Sequence, residues 1–253
     1  MKTEEKTSLS TEEIKAILRA ADEIIAEGGR TLLAKILKGS REKKVLQLKL
    51  DRNPSYGFFK SETLDNVMEK IDWMIDYDFL DIHYRGKLPM IIFTDRGWEI
   101  EADQRTDELL TEWREWLKQD ITSPDMNYLK DRNRPMILLF LEKVKETRDK
   151  DFIPYLKLWK DIEYKKLKEA INHTINSLEM DERLNEQNMK DRKKSIDEAL
   201  KGAPPEDLLL KCWECGDRFT FSIGEQKFYK QRRFELPKRC TSCREQRYEE
   251  YIM

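Results

Sequence analysis

Four cysteines are the residues best suited to chemistry in this 253-residue chain. They form two C-x-x-C pairs separated by 24 residues, Cys212/Cys215 and Cys240/Cys243. Each pair predicts a tight turn that brings two sulfurs to one side, and two such turns can hold one tetrahedral ion. A disulfide would need an oxidising compartment, and a redox C-x-x-C needs no second copy. The spacing therefore predicts one structural Zn²⁺ with four thiolate ligands and no open position for a catalytic water.

The segment that carries the cysteines is also basic and aromatic. Residues 216–247 contain nine Lys or Arg against four Asp or Glu. Such a segment can bind nucleic acid through phosphates and stacked bases. Alternatively, the aromatic residues form the core of a small module and the charges only solvate it. The candidate nucleic-acid contacts here are Arg232, Arg233, Lys238 and Arg239.

Two short motifs surround the metal ligands. They are Gly224-Glu225-Gln226-Lys227-Phe228-Tyr229 and Pro237-Lys238-Arg239-Cys240-Thr241-Ser242-Cys243-Arg244. They resemble the zinc-ribbon or treble-clef family marked by GEQxFY and PxRCxxCR. The resemblance implies a zinc-stabilised binding module without catalytic residues.

The N-terminal half predicts helices followed by one hairpin. Ser10 and Glu13 have the spacing of a capping box, which marks a helix start. Helices are expected over residues 11–27, 30–37, 41–50, from a cap at Ser61, and over 97–118. Patterns typical of extended chain at 80–84 and 89–94, around a turn at 85–87, predict a β-hairpin. This order is typical of a winged helix-turn-helix.

Several positions in this half are distinctive. They are Leu37-Lys38-Gly39-Ser40, Tyr56-Gly57, Phe79-Leu80 and Phe93-Thr94-x-x-Gly97. In this order they resemble the RecQ C-terminal (RQC) winged-helix domain of RecQ-type helicases. A helicase motor would also need the phosphate-binding motif G-x-x-x-x-G-K-[ST], which the sequence does not contain. The resemblance therefore implies an RQC-like binding domain without the motor.

Charge indicates which face of this domain would meet nucleic acid. Residues 30–60 hold nine Lys or Arg against two acids, whereas residues 61–81 hold seven acids against Lys70 alone. An acidic helix will not enter a groove between phosphates. The resemblance implies contacts with the nucleic-acid backbone from the Gly-Ser helix start, assisted by the helix dipole, and from the wing. RQC wings can carry an aromatic residue that opens a duplex end, and its nearest counterpart in this sequence is Leu88. The candidates are Lys38, Gly39, Ser40, Arg41, Lys44, Tyr84, Arg85, Lys87 and Leu88.

The rest of the chain predicts helices. Between residues 121 and 200, apolar residues recur at helical spacing with almost no β signal. Packing is expected through Phe140, Leu141, Leu156, Trp159 and Ile162. No role is evident for this region beyond a possible protein partner. The chain's six tryptophans are expected to pack in cores rather than stack on bases.

The expected fold is mainly α: a winged helix-turn-helix with an extension helix (11–118), an α-helical middle (121–201) and a small four-cysteine zinc ribbon or treble clef (206–253). The expected function is binding of nucleic acid, with DNA ahead of RNA. No catalytic activity is expected, because no acid/base pair can be singled out. The alternative is a protein adaptor that docks on a helicase, polymerase or ribosome-associated assembly. With no apolar run near 18 residues and no secretory signal in the sequence, a cytoplasmic protein without a membrane partner is expected.

Overall fold

The computed structural model describes residues 8–130, 132–232 and 234–252. The chain divides into two compact units, Met1–Gly202 and Ala203–Met253. It is mainly α-helical, as predicted. The first unit contains both the winged helix and the helical middle, and the boundary expected between residues 118 and 121 stays a prediction. None of the described helices has the length and apolar character required to cross a membrane.

The first unit begins with α1 (Thr11–Asp22). The predicted capping box is present, with the Ser10 hydroxyl accepting from the Glu13 N–H and the Glu13 carboxylate accepting from the Ser10 N–H. The prediction that this helix reaches residue 27 is wrong. Residues 23–27 turn instead, and the Ala26 N–H donates to the carbonyl of Ile91. The turn ends the helix early because its backbone is needed to hold the wing.

Three further helices complete the helical part of the winged helix: α2 (Arg30–Lys38), α3 (Lys43–Gln47) and α4 (Leu64–Asp76). The third is shorter than the predicted 41–50, since Lys49 adopts a left-handed φ of 56° and a 3-10 turn follows over Leu50–Arg52. The cap of α4 is Thr63 rather than Ser61, with the Thr63 hydroxyl accepting from the Asn66 N–H.

The wing is an antiparallel hairpin of β1 (Leu80–Arg85) and β2 (Leu88–Phe93), in which Leu80 pairs with Phe93 and Arg85 with Leu88. It is followed by α5 (Asp95–Lys118). The distinctive Thr-x-x-Gly closes the wing onto the core. Thr94 caps α5 and donates its hydroxyl proton to the Asp78 carbonyl. A Cβ on Gly97 would lie 1.9 Å from the Phe79 carbonyl oxygen, so only glycine allows this approach.

Helix α5 contributes to two hydrophobic cores. Ile100 belongs to the core of the winged helix, together with Ala199 near the end of the helical region. Trp113, fully buried, lies in the second core beside Phe140 and Trp159. The surrounding helices are α6 (Arg134–Thr147), α7 (Ile153–Ile162), α8 (Lys165–Glu179) and α9 (Glu186–Ala199). The predicted packing residues all contact this core, with Ile162 partly exposed.

The second unit consists of the hairpin β3 (Leu208–Lys211) and β4 (Arg218–Phe221), then α10 (Ile223–Arg232) and α11 (Thr241–Ile252). Phe221 is buried beneath Tyr229, at a ring distance of 5.0 Å. Ser222 and Glu225 form a capping box at the start of α10. The first cysteine pair lies in the turn of the hairpin, and the second pair is at the start of α11.

Candidate zinc centre and nucleic-acid interface

The four cysteine sulfurs converge on one point. All four Sγ atoms lie within 4.8 Å of one another, and those of Cys215 and Cys240 are 3.9 Å apart. Four sulfurs at about 2.3 Å from one tetrahedral ion would be about 3.8 Å apart. The residues present therefore fit a single Zn²⁺, as predicted, and the full set of protein ligands makes it structural.

Hydrogen bonds within the turns fix the positions of these thiols. Between the strands, the Cys212 N–H donates to the Asp217 carbonyl at 2.8 Å, and the Gly216 N–H donates to the Cys212 carbonyl. Gly216 has a φ of 80°, a conformation that glycine adopts without strain. The Trp213 N–H donates to the Lys238 carbonyl at 2.9 Å, which ties the first pair to the segment before the second.

The four thiols influence one another's ionisation. The backbone N–H of Cys240 is the main cause that lowers the pKa of Cys212 to about 6. The adjacent Cys240 side chain is the main cause that raises the pKa of Cys243 to about 12. Thiolates this close repel one another, so all four can ionise together only around a positive ion.

In the first unit, the Gly-Ser segment packs against the Tyr56-Gly57 loop. Gly39 ends α2 with a φ of 75°, and a Cβ there would lie 3.1 Å from the Cα of Gly57. The Tyr56 hydroxyl donates to the Ser40 carbonyl at 3.1 Å. The structure therefore brings these distinctive positions together. The close contact favours glycine at position 39, and a φ of 71° favours it at position 57.

The Gly-Ser segment is not a helix start, which corrects the expected dipole assistance at Ser40. Helix α3 begins three residues later, at Lys43, and has only five residues. The Ser40 hydroxyl accepts from the Glu42 N–H at 3.3 Å. So short a helix has little dipole, because the macrodipole is a sum over aligned peptides. Any phosphate contact here depends on side-chain charge.

The cations of this segment differ in their freedom. Lys38 is partly buried and donates to the Lys60 carbonyl at 2.5 Å. Arg41 and Lys44 are exposed, and neither makes an ion pair with any residue that the structure describes. Arg41 and Lys44 can therefore reach a ligand more readily than Lys38 can.

The wing tip presents the other candidates. Arg85, Lys87 and Leu88 are exposed, with Leu88 at 61% of its full accessible surface, whereas Tyr84 is partly buried. Within the described part of the chain, Arg85 and Lys87 have no ion-pair partner. By contrast, the acids of α4 are partly neutralised, since Asp72 pairs with Arg30.

In the second unit, the predicted basic residues are distributed among several contacts. Arg232 lies over the exposed Phe228 ring at 5.6 Å, and Arg239 pairs with Glu214 at 2.5 Å. Arg233 lies outside the described residues. Phe221 serves as core, whereas Phe228 and Phe234 remain about half exposed.

Trp213 is the residue that the sequence did not indicate. It is 73% exposed, with the Lys238 ammonium 5.3 Å from its ring centroid. The expectation that tryptophans pack in cores is therefore wrong at this position. Its place between two zinc ligands was the available signal, because a side chain inside a tight metal-binding turn has little room to fold inward.

Comparison with known families finds one match within each unit. A family model of the RQC domain matches residues 6–118, and one described as "Probable treble clef domain" matches residues 206–251. The chain carries an RQC domain followed by a treble-clef zinc domain. The order is the one that the sequence resemblances implied, and together the two domains indicate nucleic-acid binding in general terms. No curated protein and no solved structure matched the chain.

Proposed function

We propose that this protein binds duplex DNA without catalysing a reaction on it, and that the RQC domain contacts the phosphate backbone. The observation that carries the proposal is the set of exposed cations at Arg41, Lys44, Arg85 and Lys87, none of which has an ion-pair partner among the described residues. Cations that neutralise phosphates release counterions, which supplies most of the sequence-independent affinity for DNA. Contacts of this kind position a protein without reading sequence.

The acidic helix limits how the domain can approach DNA. Asp65 and Glu69 on α4 are exposed and would face phosphates if this helix entered the major groove. Like charges at close range would oppose that arrangement. The Gly-Ser segment and the wing are therefore the contacting parts, and α4 points away from the duplex.

The zinc domain would supply a second contact. Trp213 offers an exposed aromatic face beside Lys238, and Arg232 adds a charge. Stacking of a base on an aromatic side chain contributes about 1–3 kcal/mol and tolerates any sequence. DNA is placed ahead of RNA because the RQC domain is the type found in RecQ-type helicases.

The deciding experiment is the salt dependence of binding to a forked DNA duplex. Arg41→Glu with Lys44→Glu should remove two phosphate contacts and flatten the plot of log affinity against log salt by about 1.8. Between about 50 and 200 mM salt, that slope corresponds to roughly a tenfold difference. Fluorescence anisotropy on a matched RNA fork in parallel tests the preference for DNA.

The matched control lies on the acidic helix. Asp65→Asn with Glu69→Gln also changes two charges at exposed positions, and we expect it to leave binding unchanged or slightly stronger. If the Arg41/Lys44 variant binds DNA as the parent does, the proposed interface is wrong.

A protein adaptor is the second candidate, favoured by apolar exposure next to the basic segment. Leu46, Leu48 and Phe58 are between 44% and 55% exposed on α3 and the loop after it. Exposed apolar residues in one region mark protein-binding surfaces. A partner that co-purifies after nuclease treatment and is lost on Leu48→Asp would support this candidate.

A further inference from the structure

A cavity of about 500 Å³ lies in the helical region, which neither of the two family matches covers. It is formed where α7 gives way to α8, beside the start of α6. Its apolar floor is made by Leu129, Ile137 and Leu167. The volume is within the range of about 300–1,000 Å³ that small-molecule sites show.

The rim of the cavity is positively charged. Arg132, Arg134, Lys165 and Lys166 line it. Arg134, Lys165 and Lys166 are exposed, and no described residue forms an ion pair with any of them. Cations that line one cavity repel one another, and an anion bound among them would relieve that repulsion.

One acidic residue also lines the cavity, and both of its oxygens are occupied. Glu163 is buried, and it accepts the Trp159 indole N–H at 2.9 Å through Oε1 and the Tyr164 N–H at 3.3 Å through Oε2. These bonds fix the backbone of Tyr164 at the mouth of the cavity. Glu163 therefore positions the neighbouring aromatic residue, and its single charge against four cations still leaves the cavity lining positive.

Tyr164 itself is 67% exposed, with the Lys130 ammonium 5.6 Å from its ring centroid. An exposed aromatic ring with a cation on it is a common arrangement for stacking a base next to a phosphate. The cavity thus combines an aliphatic floor, an aromatic edge and a cationic rim within one small volume.

We propose that this cavity binds a phosphorylated nucleoside, with the base against the apolar floor and Tyr164 and the phosphate at Lys165, Lys166 and Arg134. The ligand is either a free nucleotide or one nucleotide unit of a single strand, which share this chemistry. An acidic peptide fits less well because its carboxylates would meet the same cations but it has no flat base to stack on Tyr164. The proposal does not depend on the duplex interface of the RQC domain.

The test uses the full-length, zinc-loaded protein with two probes, AMP and a short oligothymidylate, measured by calorimetry and fluorescence anisotropy. Lys165→Glu with Lys166→Glu should weaken binding of whichever probe the parent binds by roughly tenfold or more, since charge-assisted bonds to phosphate are lost. Tyr164→Ala should weaken it less. Acidic residues in the first turn of a helix interact favourably with the helix dipole. The Lys165/Lys166 variant should therefore unfold at the same temperature as the parent or higher.

Lys193→Glu with Lys194→Glu is the matched control, because it reverses an adjacent, exposed lysine pair on α9. The Arg41/Lys44 variant should also keep AMP binding, which separates this proposal from the duplex interface. If the cavity variants weaken AMP binding, the ligand is a free nucleotide. If they weaken binding of the oligonucleotide alone, the ligand is a nucleotide unit of a single strand. The proposal is overturned if the parent protein binds neither probe, or if the cavity variants bind both probes as the parent does. It is also overturned if polyglutamate binds at the cavity and nucleotides do not.

Discussion

Loss of one zinc ligand should unfold the second unit and leave the first intact. Among the described residues of that unit, the buried side chains are Cys212, Phe221, Pro237 and Cys243. Burying one Phe contributes about 1.5–3 kcal/mol, whereas ordering the backbone of a single residue costs about 1–2 kcal/mol. A core this small cannot order the unit without the metal. Structural zinc contributes on the order of 10–16 kcal/mol at pH 7, and that energy drives folding.

Cys240→Ser removes one thiolate from the cluster, and Ser242→Ala changes a neighbouring exposed residue as the control. We expect native mass spectrometry to find one zinc per chain in the parent and the control. Hydrogen exchange should show that Cys240→Ser loses protection over β3, β4 and α11 while α5 is unchanged. Retained protection in the second unit after chelation or in Cys240→Ser would refute the reasoning, because the fold would then be stable without its metal.

Three other changes test the first unit. Gly97→Ala should destabilise it by about 3 kcal/mol or more in denaturant unfolding, because the new Cβ would overlap the Phe79 carbonyl; a smaller loss means that the wing shifts easily. Burial is the main cause that raises the pKa of Glu101 to about 9, so the folded state keeps a proton that the unfolded chain loses above its ordinary pKa of 4.5. Stability from this group is present below 4.5 and lost as pH rises toward 9. Glu101→Gln should flatten that pH dependence in thermal unfolding, and an unchanged slope would show that Glu101 is ionised in the fold. Ser10→Ala should lower the free energy of unfolding by about 1 kcal/mol through loss of the cap. An unchanged free energy of unfolding would mean that the first turn of α1 is frayed.

The zinc ligands and the capping box of α1 were predictable because their signals are local. The C-x-x-C spacing requires only that a few consecutive residues form a turn, and the box at Ser10 and Glu13 requires one turn of helix. The RQC resemblance also rested on short motifs. In each case the interacting groups are close in sequence, so their spacing along the chain sets the geometry.

Helix ends were less predictable because distant residues decide them. The end of α1 depends on a hydrogen bond from Ala26 to Ile91 of the wing. The length of α3 depends on Lys49, which adopts a left-handed conformation that its residue type does not favour. Neither cause can be read from local propensity.

By itself, the sequence determined the metal ligands, the helical character and the order of the two domains. Only the tertiary structure decided which cations are unpaired, that Trp213 is exposed, and that Arg134, Lys165 and Lys166 line one cavity. Spacing along the chain sets contacts between near neighbours. Exposure and charge pairing depend on which distant side chains pack against a residue, and that is defined only once the chain has folded.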